Sequence, residues 1–170
     1  MKSVNNIRER IEAIQAINNI KNLKFKYWKG CDSKKPSDIL SCFCNDSVYI
    51  DFEDFGVFSS AKDMVTKYEL RSCHAHLIEL HAGKNPIIKF ISNKKAFGNW
   101  SMNYSLIDTL KNITLIINGT YEDLYVRDEN NNWLIKKTVF TKISSQYRSL
   151  TSGQCSNPRI AKSLRFKKTV

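Results

Sequence analysis

Apolar residues at Ile7, Ile11, Ile14, Ile17, Ile20, Leu23 and Tyr27 recur every three or four positions. That spacing lays them along one side of a helix over residues 5–30, with Arg8, Glu12, Lys21 and Lys24 mostly elsewhere. Tyr27 falls at the end of the stripe, carrying a phenol that must find a partner. Gly30 is expected to end the helix, and Asp32 to lie just beyond it. Pro36 stands near the start of a shorter helix, Ser37 to Phe43, with Ser33 or Ser37 as its cap and Ile39, Leu40 and Phe43 facing inward. Ser47-Val-Tyr-Ile-Asp-Phe52 reads as a strand, residues 53–56 as a turn, and Val57-Phe58 as the return. Ser60 and Asp63 fit a capping box, opening a helix that ends near Arg71.

From residue 74 the period changes to two. His74-Ala-His-Leu-Ile-Glu-Leu-His81 leads through Ala-Gly-Lys-Asn-Pro86 to a strand over residues 87–91, and Ser92-Asn-Lys-Lys95 turns. The next strand alternates most clearly. Ala96, Gly98, Trp100, Met102, Tyr104 and Leu106 make an apolar face with one phenol, and the other face is largely polar. Residues 113–126 and 133–145 are two more long strands, joined by the polar loop Asp128-Glu-Asn-Asn-Asn132. Helices first and long antiparallel strands afterwards argue for an α+β domain. The sheet must curl, because few helices are there to cover it. A curved antiparallel sheet wrapped around a long N-terminal helix gives a cone-shaped α+β barrel with an internal pocket. This domain takes residues 1–150. Residues 151–170 form a basic C-terminal tail, in which Arg159, Lys162, Arg165, Lys167 and Lys168 occur with no acid. A short helix at 160–166 or a mobile tail would fit that text.

Composition narrows the class. The chain is 42% hydrophobic and 25% charged, which suits one globular domain and excludes a disordered chain. No apolar run is long enough to cross a bilayer, and the N-terminus runs straight into a charged helix, so a cytoplasmic protein is expected. Five cysteines (Cys31, Cys42, Cys44, Cys73 and Cys155) form no CxxC pair, and reduced, mostly buried thiols are expected. The formal charge of +11 allows attraction to nucleic acid or an anionic surface. Outside the tail, however, the lysines are scattered among Asn and Ser as on a solvated surface, which argues against nucleic acid as the partner. There is no Gly-rich phosphate loop and no HExxH helix, so no cofactor or metal is expected.

Several motifs occur together: Tyr27-x4-Asp32 after an N-terminal helix, His81-Ala-Gly-Lys-Asn-Pro86 opening a strand, Gly98-Asn-Trp100 in the next, and Trp133 starting the last. In this order and spacing the chain, over roughly residues 5–148, resembles the SnoaL-like proteins of the nuclear transport factor 2-like, or cystatin-like, superfamily. Among its enzymes the bile acid 7α-dehydratases look nearest, and scytalone dehydratases more distant. The resemblance implies a pocket holding a Tyr, an Asp after the first helix, a His at the strand start, a second Asp and an Arg. Tyr27, Asp32 and His81 match the first three. The second Asp falls on Tyr104 and the Arg on Lys142, and Lys supplies the charge without the bidentate contact. The resemblance further implies a small hydrophobic ligand, of steroid, polyketide or terpenoid type, and a homodimer through the exposed sheet face.

The chemistry of the residues agrees with the three matched positions. Abstracting a proton beside a carbonyl, or expelling water, needs a base that titrates near neutrality, and His81 supplies one. Asp32 would hold the imidazole in one tautomer, and Tyr27 would donate to a developing enolate oxygen. Tyr104 and Lys142 would bind the polar end of the substrate, with Trp100 and Met102 as cavity wall. The expected function is a cofactor-independent lyase, dehydratase or isomerase. Blander readings stay open: Tyr27 as a core tyrosine, His81 as a hydrated strand end, Asp32 as a cap of the second helix, and Lys142 as a surface lysine. A non-catalytic binding module on the same fold is the alternative function.

Overall fold

The computed structural model describes the backbone of residues 2–155 and 159–160, with side chains from residue 7 to residue 155. Helix α1 (Lys2–Asp32) is followed by the short α2 (Pro36–Leu40). Strand β1 (Tyr49–Asp51), a single 3-10 turn at Glu53–Phe55, strand β2 (Val57–Phe58) and helix α3 (Ala61–Ser72) come next. Four long strands follow: β3 (Leu77–Ser92), β4 (Lys95–Asp108), β5 (Ile113–Arg127) and β6 (Trp133–Ser149). A two-residue β7 (Arg159–Ile160) pairs with β6 at Ser144 and Ser145. Of the helix anticipated over 160–166, residue 160 stands in β7 and the rest lies outside the described residues. The α+β architecture is as expected.

The sheet order is β2-β1-β6-β5-β4-β3, with β3 to β6 an antiparallel meander and β1 parallel to β6. Among the described residues this path stays open, so the cone is an unclosed sheet. Register irregularities at Lys84/Ile87, Asn118/Gly119 and Leu124/Tyr125 break the regular pleat, and such bulges sharpen the local bend and twist. The run from His81 through Pro86 is not a loop between two strands. It is the middle of one 16-residue strand, with its irregularity after Lys84.

Only the second half of α1 is buried. Ala16, Ile20, Tyr27, Trp28 and Cys31 lie in the core, whereas Ile7, Ile11 and Ile14 are exposed. The buried stripe also contains Lys24, which the apolar periodicity assigned elsewhere and which is fully buried. Its position, four after Ile20 and three before Tyr27, puts it on that face, and a buried carboxylate partner makes this tolerable. Gly30 does not end α1. A Cβ there would come within 3.0 Å of Ile39 Cγ1, so the missing side chain lets α2 pack against the helix. Pro36 occupies the first turn of α2, but neither Ser33 nor Ser37 caps it, and Leu40 is exposed while Ile39 and Phe43 are buried. The Ser60 hydroxyl does cap α3, accepting from Asp63 N at 3.3 Å. Gly83 on β3 has a similar use to Gly30: a Cβ there would overlap the Trp28 ring at 2.0 Å. The missing side chain lets the α1 indole approach the β3 backbone closely. Cys31, Cys42 and Cys44 are buried, Cys73 is half-buried, Cys155 is exposed, and all five are free thiols. No helix among the described residues is long and apolar enough to cross a membrane.

Candidate active site

The concave face of β3 to β6, the end of α1, the 3-10 turn and α3 enclose a cavity of about 460 Å³. Its body is apolar, with Phe52, Phe55, Phe140, Met64, Met102 and Leu115 on the wall. Of its polar groups, Glu79, His81 and Tyr104 face inward from β3 and β4 beside Asp32 at the end of α1, while Glu53, Asp54, Arg71, Ser72, Lys142 and Ser145 line it elsewhere. His81 pairs directly with Tyr104 in the strand register, and their rings lie 4.8 Å apart.

Asp32 and His81 form a close dyad. The carboxylate accepts from His81 Nδ1 at 2.7 Å and from the His81 backbone N–H at 3.1 and 3.3 Å. An Asp at a helix C-terminus meets the negative end of the helix dipole, so it needs such donors. Their arrangement fixes the tautomer. An ionised carboxylate only accepts, so Nδ1 carries the hydrogen, and Nε2 is left as the basic nitrogen. Nε2 has no hydrogen-bond partner among the described residues. Both side chains are largely shielded, at 11% and 16% exposure. Asp32 therefore spends its oxygens on β3 and does not cap α2.

Beside the dyad stands a carboxylate that the motif reading missed. Tyr104 donates to Glu79 Oε1 at 2.7 Å. Glu79 Oε2 lies 3.1 Å from the Tyr68 hydroxyl and 3.3 Å from Lys34 Nζ. Tyr68 also donates to the Cys31 carbonyl at 2.5 Å. Burial, followed by the Glu79 charge, pushes the Tyr68 and Tyr104 phenols up, so both stay protonated. The signal for Glu79 was in the alternation. It stands two residues before His81 on the same strand, and must share its face. The carboxylate missing where Tyr104 stands is thus replaced from the neighbouring strand, and Tyr104 bonds to it.

The other expected site residues fall in different places. Tyr27 is buried at the cavity floor with its phenol beside the Cys31 thiol, and burial is the main cause pushing the phenol up. Met102 lines the cavity. Trp100 does not: it is fully buried behind the wall, edge-on to Trp28 at 5.3 Å, and its Nε1 donates to Tyr125 at 3.0 Å. Lys142 lies at the cavity rim, but its ammonium is held by Asp54 and, at 3.9 Å, by Glu53, so its charge is already compensated. Tyr49 and Asp51 lie outside the lining, where the Asp51 carboxylate accepts from Glu53 N. His74 and His76 stack on each other away from the cavity. No group of three metal-ligating side chains occurs among the described residues.

A second polar cluster lies sealed in the core. Lys24 Nζ sits 2.8 Å from Asp123 Oδ2, and Tyr125 donates to the same oxygen at 2.6 Å. The ammonium also lies 3.9 Å from the centre of the Tyr121 ring, on the core side of a cavity-lining residue. Burial lowers Lys24, and the Asp123 charge opposes the shift.

The family model for the SnoaL-like domain matches residues 12–139. The chain belongs to the SnoaL-like domain family. Among curated proteins, none matches the sequence of this SnoaL-like chain. Its fold recurs in solved structures. A putative scytalone dehydratase from Novosphingobium aromaticivorans is similar at 16% identity with a TM-score of 0.73, covering 94% of this chain and 99% of that one. A hexachlorocyclohexane dehydrochlorinase of type 3 from Novosphingobium barchaimii is similar at 14% identity with a TM-score of 0.70, covering 93% and 98%. A Mycobacterium tuberculosis protein described as of unknown function is similar at 14% identity with a TM-score of 0.64, covering 83% and 82%. At these identities the likeness is one of fold, and the SnoaL-like site must be read from its own residues.

Proposed function

We propose that this SnoaL-like domain catalyses a cofactor-independent β-elimination, the loss of water from a small, hydrophobic β-hydroxy carbonyl compound. The observation that carries the reading is the Asp32–His81 dyad at the wall of an apolar cavity, with Nε2 unpartnered. Two structural neighbours support it by name, since a dehydratase and a dehydrochlorinase both remove H and a leaving group from adjacent carbons. His81 Nε2 takes the proton α to the carbonyl, and Asp32 stabilises the imidazolium that forms. The electron pair moves into the carbonyl as an enolate. Tyr27 is the donor for the enolate oxygen, because its hydrogen faces only a thiol, a weak acceptor. As the enolate collapses, the β C–O bond breaks and the imidazolium returns its proton to the leaving oxygen. The products are the enone and water, and His81 ends neutral. Met102 and the aromatic wall exclude bulk water from the intermediate.

A β-hydroxytetralone is a direct probe, because its dehydration gives α-naphthol, which is read by fluorescence. The wild type is expected to form naphthol, and His81→Ala to form it ~10²–10⁴-fold more slowly. Equal turnover by His81→Ala would remove this mechanism. Tight binding without turnover by either protein would favour a ligand-binding module instead.

We further propose that the convex sheet face pairs with a second copy of the chain. Its central rows, Leu80–Ser105–Ile116–Gln146 and Ala82–Asn103–Asn118–Ser144, carry no charge on a chain of net charge +11. The centre of the face therefore sets no charge against a second copy, and the nearest cations, Lys84 and Arg148, stand in flanking rows. Leu80→Lys should shift the sedimenting species from dimer to monomer, and a wild type that sediments as a monomer would overturn this.

A further inference from the structure

Glu79 sets what kind of ligand group the Tyr104–His81 corner of the cavity accepts. A phenol has one hydrogen to give. Tyr104 gives its hydrogen to Glu79 Oε1 at 2.7 Å. Tyr68 has two acceptors, the Cys31 carbonyl at 2.5 Å and Glu79 Oε2 at 3.1 Å, so its hydrogen is also spent within the protein. His81 gives its Nδ1 hydrogen to Asp32. What Tyr104 and His81 keep for the cavity is a lone pair on the phenol oxygen and the lone pair of Nε2. Both side chains line the cavity, and the Tyr104 and His81 rings are 4.8 Å apart.

We infer that Glu79 is a specificity-determining residue: by holding the phenol hydrogen of Tyr104, it turns the Tyr104–His81 corner of the cavity into a pair of acceptors that selects ligands offering a hydroxyl. This deepens the elimination reading, because it concerns the same cavity and names the group that the β-carbon of the substrate must bear. A hydroxyl donating to Tyr104 lies beside His81, which is where a leaving oxygen must be to receive the proton. A ketone oxygen placed at the same point meets lone pair against lone pair. A phenol that can donate to such an oxygen is Tyr27, elsewhere in the lining, whose hydrogen faces the Cys31 thiol. The ligand class is therefore a compact hydrophobic alcohol whose carbonyl, where it has one, points away from Tyr104.

Glu79→Gln tests this in a directional way. Lys34 Nζ lies 3.3 Å from Oε2, so the amide oxygen of Gln takes that position and continues to accept. Its NH₂ then faces Tyr104, which can no longer donate to it and turns its hydrogen to the cavity. The experiment compares equilibrium binding of α-tetralol and α-tetralone, a matched alcohol and ketone that cannot undergo the elimination, followed by tryptophan fluorescence. The wild type is expected to prefer the alcohol by about five-fold, the worth of one neutral hydrogen bond. Glu79→Gln should lose or reverse the preference, and Tyr104→Phe, which needs no rearrangement, should lose it if the Gln variant fails to fold. Equal affinity in the wild type, preference for the ketone, or no measurable binding of either ligand would overturn the inference. So would an unchanged ratio in both variants. Because the readout is binding of unreactive ligands, it can fail while naphthol formation persists, and it can succeed where His81→Ala shows no loss of turnover.

Discussion

The chain builds two clusters from the same components, a cation, a carboxylate and phenols, and uses them oppositely. In the core, Lys24, Asp123 and Tyr125 are saturated by one another, and both side chains of the ion pair have 0% exposure. Around the cavity, Asp32–His81 and Glu79–Tyr104–Tyr68 are almost as close in distance, yet Nε2 and a lone pair of Tyr104 are left over and the dyad is partly open. A buried polar group without spare valence can only hold a structure together. One that keeps a spare valence beside an apolar hollow can act on what enters it. Perturbation should therefore damage stability in one cluster and turnover in the other.

The largest expected effect is at the dyad. Asp32→Asn removes the charge that favours the imidazolium, and should lower naphthol formation by ~10²–10⁴-fold. Its urea-unfolding free energy should fall by only about 1 kcal/mol, because Asn still accepts one bond from β3. A loss of stability as large as the loss of turnover would blur the contrast. Next is Lys24→Met, which leaves Asp123 charged in a sealed site and should cost about 3–5 kcal/mol by the same unfolding measurement. Adding Asp123→Asn should recover most of that loss, since the uncompensated charge is then gone. Failure to recover would mean that Lys24 acts through packing on Tyr121, Tyr27 and Trp28.

A smaller effect separates both clusters from the surface. Burial is the main cause raising the phenols of Tyr27, Tyr68, Tyr104, Tyr121 and Tyr125 in the folded state. A group raised on folding binds its proton more tightly in the native chain. Its contribution is fully present below the unfolded value near 10, and is lost as the pH rises beyond it. The protein should unfold in alkali above about pH 10, with phenolate absorbance appearing together with the loss of helical circular dichroism. Phenolate formation by all five before unfolding would show that they are open to solvent. The smallest effect is in thiol labelling near pH 8. Cys155 is exposed and should alkylate first. Cys42, pushed up to about 11 by burial, should resist until the chain unfolds.

Much of this was legible in the order of residues. Period-two alternation placed Trp100, Met102 and Tyr104 on one face of β4, and that face is the inward one. The resemblance to the SnoaL-like proteins set Asp32 and His81 side by side, and the structure shows them bonded at 2.7 Å. Glu79 was equally available from the alternation, whereas the family pattern has its second Asp at position 104, on the neighbouring strand. Trp100 shows the limit of a face assignment. It points inward as expected, but the Trp28 ring lies on that side and closes it off from the cavity. Lys142 was expected to offer a free charge, and the 3-10 turn after β1 brings two acids to it.

Local pattern determined the elements, because helix and strand periods are set by neighbours a few residues apart. It also determined which side chains share a face. What it could not determine was which side chains remain unsatisfied, since that depends on partners 49 residues apart for Asp32–His81 and 99 apart for Lys24–Asp123. Only the curvature of the sheet around α1 decided which of two similar polar clusters is sealed and which keeps a lone pair facing an open space.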